Sequence, residues 1–264
     1  MTSTAAPTVQ ADPRLPQRIR HETRRRELTV RAVEKLTPSM IRVTVGGDLA
    51  GFVSLGFDDH VKLFFPLGGA EPGSEPQLAG RNYTPRLFDP KAGTLVIDFA
   101  LHDAGPATQW AAQAQPGQTL TIGGPRGSFV IPVDYDWHLL VGDDTALPAI
   151  ARRLGELPAG AKAVVLIEVD SAADEIPLAT RADAKVSWVH RHGAPAGECE
   201  RLSRALRAAA LPAGDFYAWV ACESSVAKAL RTQLLAECGA KPQWTRASGY
   251  WRRGAADVHD TYSD

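Results

Sequence analysis

The fold is decided by "WHLLVGD" (Trp137–Asp143) followed at once by "TALPAIARRLGEL" (Thr145–Leu157). The first reads as a short buried strand. The second is helix-forming, with a proline near its start. Beyond it, "AVVLIEV" and "VSWVH" read as strands and "AGECERLSRALRAAAL" as a helix. "DFYAWVAC" is again a strand, and "SSVAKALRTQLLAEC" a helix ending near Gly239. Strand and helix in alternation predict a parallel sheet with crossover helices over 136–264.

Upstream of about Asp136 the pattern is different. "ELTVRAVEKL", "MIRVTVGG", "VKLFF", "TLVIDFAL" and "QTLTIGG" alternate with period two and are separated by Gly/Pro turns. Ile41, Val43 and Val45 share one face; Leu95, Ile97 and Phe99 lie opposite Val96, Asp98 and Ala100. Such segments predict an antiparallel barrel over 21–135. One helix, "GPATQWAAQAQPG", interrupts them and stops at Pro116-Gly117. The first 20 residues have no apolar core of a signal peptide and read as a disordered lead. The fold class expected is therefore an N-terminal antiparallel barrel followed by a C-terminal α/β nucleotide-binding-type domain.

Composition narrows the function. The chain has 264 residues and a formal net charge of -1, which gives no basic footprint for nucleic acid. No apolar run reaches the ~18 residues of a membrane span. Its three cysteines, Cys199, Cys222 and Cys238, form no CxxC, which argues against a disulfide framework and a zinc site and fits a reducing, cytoplasmic setting. "DDH" and "HRH" are too small and local for a metal site, so none is expected. "HETRRREL" (His21–Leu28) reads as a solvated strand start.

In "GRNYTPR" (Gly80–Arg86), Arg81 and Tyr83 share one face of an extended segment and Thr84 takes the other. A guanidinium can fork onto a phosphate, and a tyrosine can lie against an aromatic ring. The preceding Leu67–Gly80 segment reads as either a plain surface loop or a lid.

A barrel followed by a doubly wound domain, with Arg-x-Tyr-Thr, resembles the ferredoxin-reductase-like flavoenzymes. "DFALHDAGPATQWAAQAQPGQTLTIGGPRGSF" (Asp98–Phe129) more closely resembles the siderophore-interacting protein family. "DHVKLFFP", "VGDDTALPAIARRL" and "SGYWRRG" follow that family's order. The resemblance implies an FAD-dependent ferric-siderophore reductase fed by NADPH or NADH, or by ferredoxin. Rival readings are a flavin or ferredoxin reductase of the same plan, and a siderophore-binding protein with no redox role.

The resemblance implies roles for single residues. Arg81 and the Gly105-Pro106-Ala107 helix start would hold the FAD pyrophosphate. Tyr83 would stack on the flavin, and Thr84 would face its N5/O4 edge. Asp98 and His102, four apart and so expected on one strand face, would lie at the FAD, while Trp110 would pack on the cofactor or on the barrel. Asp144, Thr145 and Ala146 would face the nicotinamide dinucleotide or the FAD tail. Glu223 falls at a strand end where a hydride site would be. Tyr250 and Trp251 stand in for the C-terminal aromatic that plant-type reductases stack on the flavin. Lys62, Arg126, Arg252 and Arg253 would form a basic rim for an anionic ferric chelate. Basic groups in "VHRHG" and "AKALR" could hold a 2′-phosphate or be ordinary solvated charges. A monomer is expected.

Overall fold

The structure, a computed structural model, describes residues 12–67, 77–101, 105–255 and 260–262. The first half contains β1 (Gln17–Arg20), β2 (Arg25–Thr37), β3 (Met40–Gly46), β4 (Val61–Pro66), β5 (Leu78–Tyr83), β6 (Leu87–Asp89) and β7 (Thr94–Ala100). Helix α1 (Pro106–Gln113), β8 (Thr119–Gly123) and β9 (Gly127–Val130) follow. Seven strands form one antiparallel sheet in the order β5-β4-β8-β2-β3-β7-β6. The sheet curls on itself: the rings of Tyr83 on β5 and Phe99 on β7 come within 4.5 Å, centre to centre, although these strands lie near opposite ends of the order.

Period-two patterning explains the curl. Val43, Val45, Leu63, Phe65, Leu95, Ile97 and Phe99 all point inward and are buried. Each such side chain removed from water contributes about 1.5–3 kcal/mol. Helix α1 closes one end with Ala107, Ala111 and Trp110, whose ring lies 5.5 Å from Phe65 and 5.7 Å from Phe99. Trp110 thus packs on the barrel.

The second half contains β10 (Trp137–Asp143), α2 (Leu147–Glu156), β11 (Lys162–Val169), β12 (Asp183–His190), α3 (Cys199–Ala208), β13 (Phe216–Glu223), α4 (Ser224–Glu237), β14 (Thr245–Trp251) and β15 (Asp260–Tyr262). The sheet order is β12-β11-β10-β13-β14-β15, parallel except for the last pair. Strands β10 and β13 are buried at every position, as expected for central strands covered on both faces. The fold class read from the sequence is the one observed. Strands β14 and β15 were not foreseen.

The two halves are bolted together by polar groups. Buried Arg152 of α2 donates to the Ser54 hydroxyl at 2.8 Å and to the Pro85 carbonyl at 3.0 Å. Its neighbour Arg153 donates to the Ile131 and Pro132 carbonyls at 3.2 and 2.8 Å. Asp58, from the barrel, accepts from Trp219 Nε1 at 3.2 Å and from Arg246 Nε at 2.8 Å. Met40, Phe57 and Ala100 of the barrel share an apolar cluster with Leu147, Ile150 and Trp219.

The expected disordered lead needs correction over residues 12–20. Strand β1 pairs antiparallel with β9. Arg14 binds Asp215 at 3.0 Å and lies 4.2 Å from the Trp244 ring centre. These contacts tie the lead to the second half.

Candidate active site

The register of β4 with β5 sorts the "GRNYT" side chains. Arg81 faces Leu63 and Tyr83 faces Val61, while Asn82 faces Lys62 and Gly80 faces Phe64. Directly opposed residues share a sheet face, so Arg81 and Tyr83 lie on one side and Asn82 and Lys62 on the other. Burial pushes the Tyr83 hydroxyl well above the usual phenol range, against the opposing pull of Arg81. Tyr83 packs on Phe99 and edge-on to Phe65.

Two groups here have spare bonding capacity. Arg81 donates Nη1 to the Gly80 carbonyl at 2.8 Å and meets no carboxylate among the described residues. Thr84 is buried, and its hydroxyl has no hydrogen-bond partner among the described residues. At α1, Gly105 is extended (φ -98, ψ 164), Pro106 opens the first turn, and no side chain caps the helix. An uncapped helix start favours an anion. A phosphate donor, a hydroxyl and an aromatic face are what a flavin dinucleotide requires, so these residues fit FAD.

On the reverse face of β5 lies a cavity of about 320 Å³ lined by Arg25, His60, Lys62, Phe64, Asn82 and Arg126, among others. The Arg25 guanidinium sits 4.5 Å from the Phe64 ring centre. Lys62 lies so close over Gly80 that a Cβ there would meet its Cδ at 2.7 Å; a side chain at position 80 would displace the lysine. Asn82 Oδ1 is buried without a hydrogen-bond partner. The turn into β4 is fixed by buried Asp59, which accepts from Ser54 Oγ at 2.9 Å, Gly56 N at 3.1 Å and Ser128 Oγ at 2.5 Å.

The structure therefore brings Lys62 and Arg126 together. Arg252 and Arg253, expected in the same rim, do not line this cavity. Arg252 binds Asp260 at 2.6 Å, and Arg253 donates to the Ala196 carbonyl at 2.5 Å. Arg25, expected to be a plain solvated charge, lines the cavity instead. Its register partner on β8 is Gly123, which pairs on its other side with Lys62 of β4. That three-strand juxtaposition cannot be read from spacing.

Asp98 is a second correction. Its carboxylate is fully buried and accepts from Arg42 Nε and Nη2 at 2.7 and 2.8 Å, with Arg86 Nε at 4.0 Å. It sits on the face of β7 away from the barrel core and is fully used as a counter-ion. Strand β7 ends at Ala100, so the reason given for pairing Asp98 with His102 does not hold. His102 itself lies outside the described residues.

At the carboxyl ends of the parallel strands the polar groups bind one another. Asp143 accepts from Thr145 N at 3.0 Å, Thr145 Oγ1 at 2.5 Å and Trp251 Nε1 at 2.8 Å. Burial, reinforced by the Asp144 charge, pushes the Asp143 carboxyl up to about 7. Asp144 binds Arg191 at 3.0 Å, and Ala146 is buried in the apolar core. Arg191 of "VHRHG" also approaches Glu168 at 3.8 Å and Asp170 at 3.9 Å. Tyr250 packs edge-on to Trp219 at 6.1 Å.

Glu223, expected at a strand end where a hydride site would be, does end β13, and there it caps α4. Its Oε2 accepts from Ser225 N at 2.6 Å, Ser225 Oγ at 2.5 Å and Val226 N at 3.2 Å. Its Oε1 accepts from Arg253 N at 3.4 Å. Thr145 and Glu223 nonetheless follow neighbouring parallel strands and lie at one sheet edge.

A family model described as siderophore-interacting FAD-binding domain matches residues 29–129, and one described as siderophore-interacting protein matches 135–254. The NADPH-dependent ferric-chelate reductase of Escherichia coli (strain K12) is 39% identical over 255 residues, covering 90% of this chain and 97% of that relative. The ferric vibriobactin reductase ViuB of Vibrio cholerae is 31% identical, covering 83% of this chain and 86% of its own. The crystal structure of a siderophore utilization protein from T. fusca superposes with a TM-score of 0.84 at 38% identity, covering 92% of this chain and 98% of that one. With both family domains in order and relatives matched over nearly their full length, the chain belongs to the siderophore-interacting protein family.

Proposed function

We propose that this chain is an FAD-dependent ferric-siderophore reductase that passes electrons from NADPH to the Fe(III) of a bound siderophore. The observation that carries the reading is the alternation along β5. Arg81 and Tyr83 stand on one face, and Asn82 lines a cationic cavity with Lys62 and Arg126 on the other. One strand separates a flavin grip from an anion pocket.

FAD supplies the conversion of a two-electron donor into one-electron steps. The chain's own residues do the rest. Arg81 and the α1 start bind phosphate, Tyr83 offers its ring, and Thr84 offers its hydroxyl. Lys62, Arg25 and Arg126 hold an anionic ferric chelate, with Asn82 Oδ1 as an unused acceptor. Overall, one NADPH and two Fe(III) chelates give NADP+, one proton and two Fe(II). Oxygen-donor chelators hold Fe(II) more weakly than Fe(III), so reduction frees the metal, and no protein iron ligand is needed. No group of His, Cys, Asp and Glu arranged to hold a metal is found among the described residues.

A one-electron donor such as ferredoxin is the second reading. It is favoured by the sheet edge, where Asp143, Glu223 and Arg191 are already bonded within the chain. We further propose that the protein acts as a cytoplasmic monomer. Its cysteines are free thiols, which suits a reducing compartment. Separately, no described helix is long and apolar enough to cross a membrane.

The test is direct. The purified protein should show flavin absorbance bands that bleach anaerobically with NADPH. Adding a ferric triscatecholate should restore them as Fe(II) is captured by a colorimetric chelator. A colourless protein that binds the chelate would leave only a carrier. Bleached flavin that reduces free flavin or ferredoxin but no ferric chelate would favour the rival reductase.

A further inference from the structure

The strand order of the second half reverses at β10, which lies between β11 and β13. In open parallel sheets the crevice beyond the strand ends at such a reversal is where a dinucleotide binds. Here an indole reaches across it. Trp251 ends β14, beside Glu223 of β13, and its Nε1 bonds Asp143 at the end of β10 at 2.8 Å. Strands are spaced about 4.8 Å apart, so the side chain must pass over the end of β13 to reach β10. The loop between β12 and α3 closes above it. A Cβ on Gly197 (φ +76) would lie 2.9 Å from Trp251 Cη2 and 3.0 Å from Glu223 Cγ. Arg253, two residues on, is tied to the same loop through the Ala196 carbonyl.

The amides that could hold a pyrophosphate are also engaged. At α4, the N–H groups of Ser225 and Val226 point at the Glu223 carboxylate. Before α2, Thr145 N points at Asp143. The mouth carries Asp143, Asp144, Glu168 and Asp170, and the nearby Arg191 and Arg201 are ion-paired to this carboxylate group.

We propose that Trp251 selects the electron donor by occupying the dinucleotide crevice, so that a nicotinamide dinucleotide binds only after the indole leaves Asp143. This rests on the reductase reading and extends it to a residue expected at the flavin. Asp143 and Gly197 are its positioning residues. Trp251→Ala removes the plug; Trp251→Phe keeps a ring but loses the N–H donor.

Calorimetric titration of the flavin-loaded protein with NADP+ measures the effect without turnover. We expect Trp251→Ala to bind NADP+ about tenfold more tightly and Trp251→Phe about threefold. In anaerobic stopped flow, half-saturation for NADPH should fall in parallel, while dithionite-reduced protein is reoxidised by a ferric catecholate at the wild-type rate. Unchanged NADP+ affinity in both variants would overturn the proposal. Weaker affinity would also do so, by making Trp251 part of the dinucleotide site. If neither wild type nor variants bind millimolar NADP+, the gate is refuted. The reductase reading fails separately, if the chemically reduced flavin does not reduce the chelate. Circular dichroism and flavin content establish that each variant is folded, and Trp251→Phe carries the test if the alanine variant is not.

Discussion

The two strand edges that face ligands are built in opposite ways. On β5 and its surroundings, among the described residues, Arg81 meets no carboxylate, the Thr84 hydroxyl has no hydrogen-bond partner, Asn82 Oδ1 is buried and unbonded, and α1 starts without a side-chain cap. At the ends of β10 and β13, the carboxylates are bonded within the chain: Asp143 to Thr145 and Trp251, Asp144 to Arg191, Glu223 to its own helix. A buried polar group without a partner costs about 1–3 kcal/mol. A chain keeps such groups where a ligand will satisfy them, and the barrel side meets that description. At the sheet edge the carboxylates are satisfied already, although Arg191 Nη1 is buried without a hydrogen bond, and they must exchange bonds to accept a ligand.

The largest effect expected concerns a residue that this contrast moves out of the site. Asp98→Ala strands the Arg42 guanidinium. Breaking a buried pair costs about 3–5 kcal/mol. The Arg42 side chain keeps 26% exposure, which points to the lower end and to a Tm about 6–10 °C lower. Differential scanning fluorimetry of the protein checks it. Unchanged Tm with lost flavin would return Asp98 to the cofactor.

On the open side, Arg81→Ala should weaken FAD binding by about 1.5–3 kcal/mol, a charged hydrogen bond to phosphate, or roughly ten- to hundred-fold in Kd. Flavin retained in full through dialysis would show that Arg81 holds no phosphate. Next in size, Lys62→Ala and Arg126→Ala should each raise KM for an anionic ferric chelate about tenfold, and Arg252→Ala less than twofold. The Lys62 and Arg126 effects should shrink at high salt, because exposed charges are screened over about 8 Å at physiological ionic strength. Equal effects of Arg252 and Lys62 would restore the rim read from the sequence.

What the sequence revealed follows the same divide. The barrel strands were legible because one face of each is buried, which forces alternation. Strands β10 and β13 were legible as short apolar runs. Strand β14 was not, because "TRASGYW" is buried through small residues, Ala247 and Ser248, and carries no periodic signal. Arg81, Tyr83 and Thr84 could be grouped from spacing alone. Arg25 and Asn82 join Lys62 through the registers β2–β8 and β4–β5, which no local pattern encodes. Trp251 reads in the sequence as an aromatic that could serve the flavin; only the sheet order shows it reaching Asp143. The capping role of Glu223 is not legible in the sequence, because helix caps are usually Ser, Thr, Asp or Asn.

That cap gives the smallest and sharpest test. Desolvation at Glu223 disfavours its charge, but hydrogen bonds from Ser225, Val226 and Arg253 outweigh it and hold the carboxyl below its usual value. A carboxylate depressed in the folded state adds stability above its unfolded pKa, about 4.3, and loses it as pH falls through the lower folded value. Glu223→Gln keeps the shape and removes the charge. It should cost about 1 kcal/mol at pH 7, the ordinary worth of a cap, and the difference from wild type should vanish toward pH 3. Denaturant titrations at several pH values would show this. Because the Glu223 oxygens are spent on α4 and the Arg253 amide, kcat for ferric-chelate reduction should stay within twofold. A tenfold fall in kcat at unchanged stability would place Glu223 in the reaction after all, and the sheet edge would then be a working site rather than a closed one.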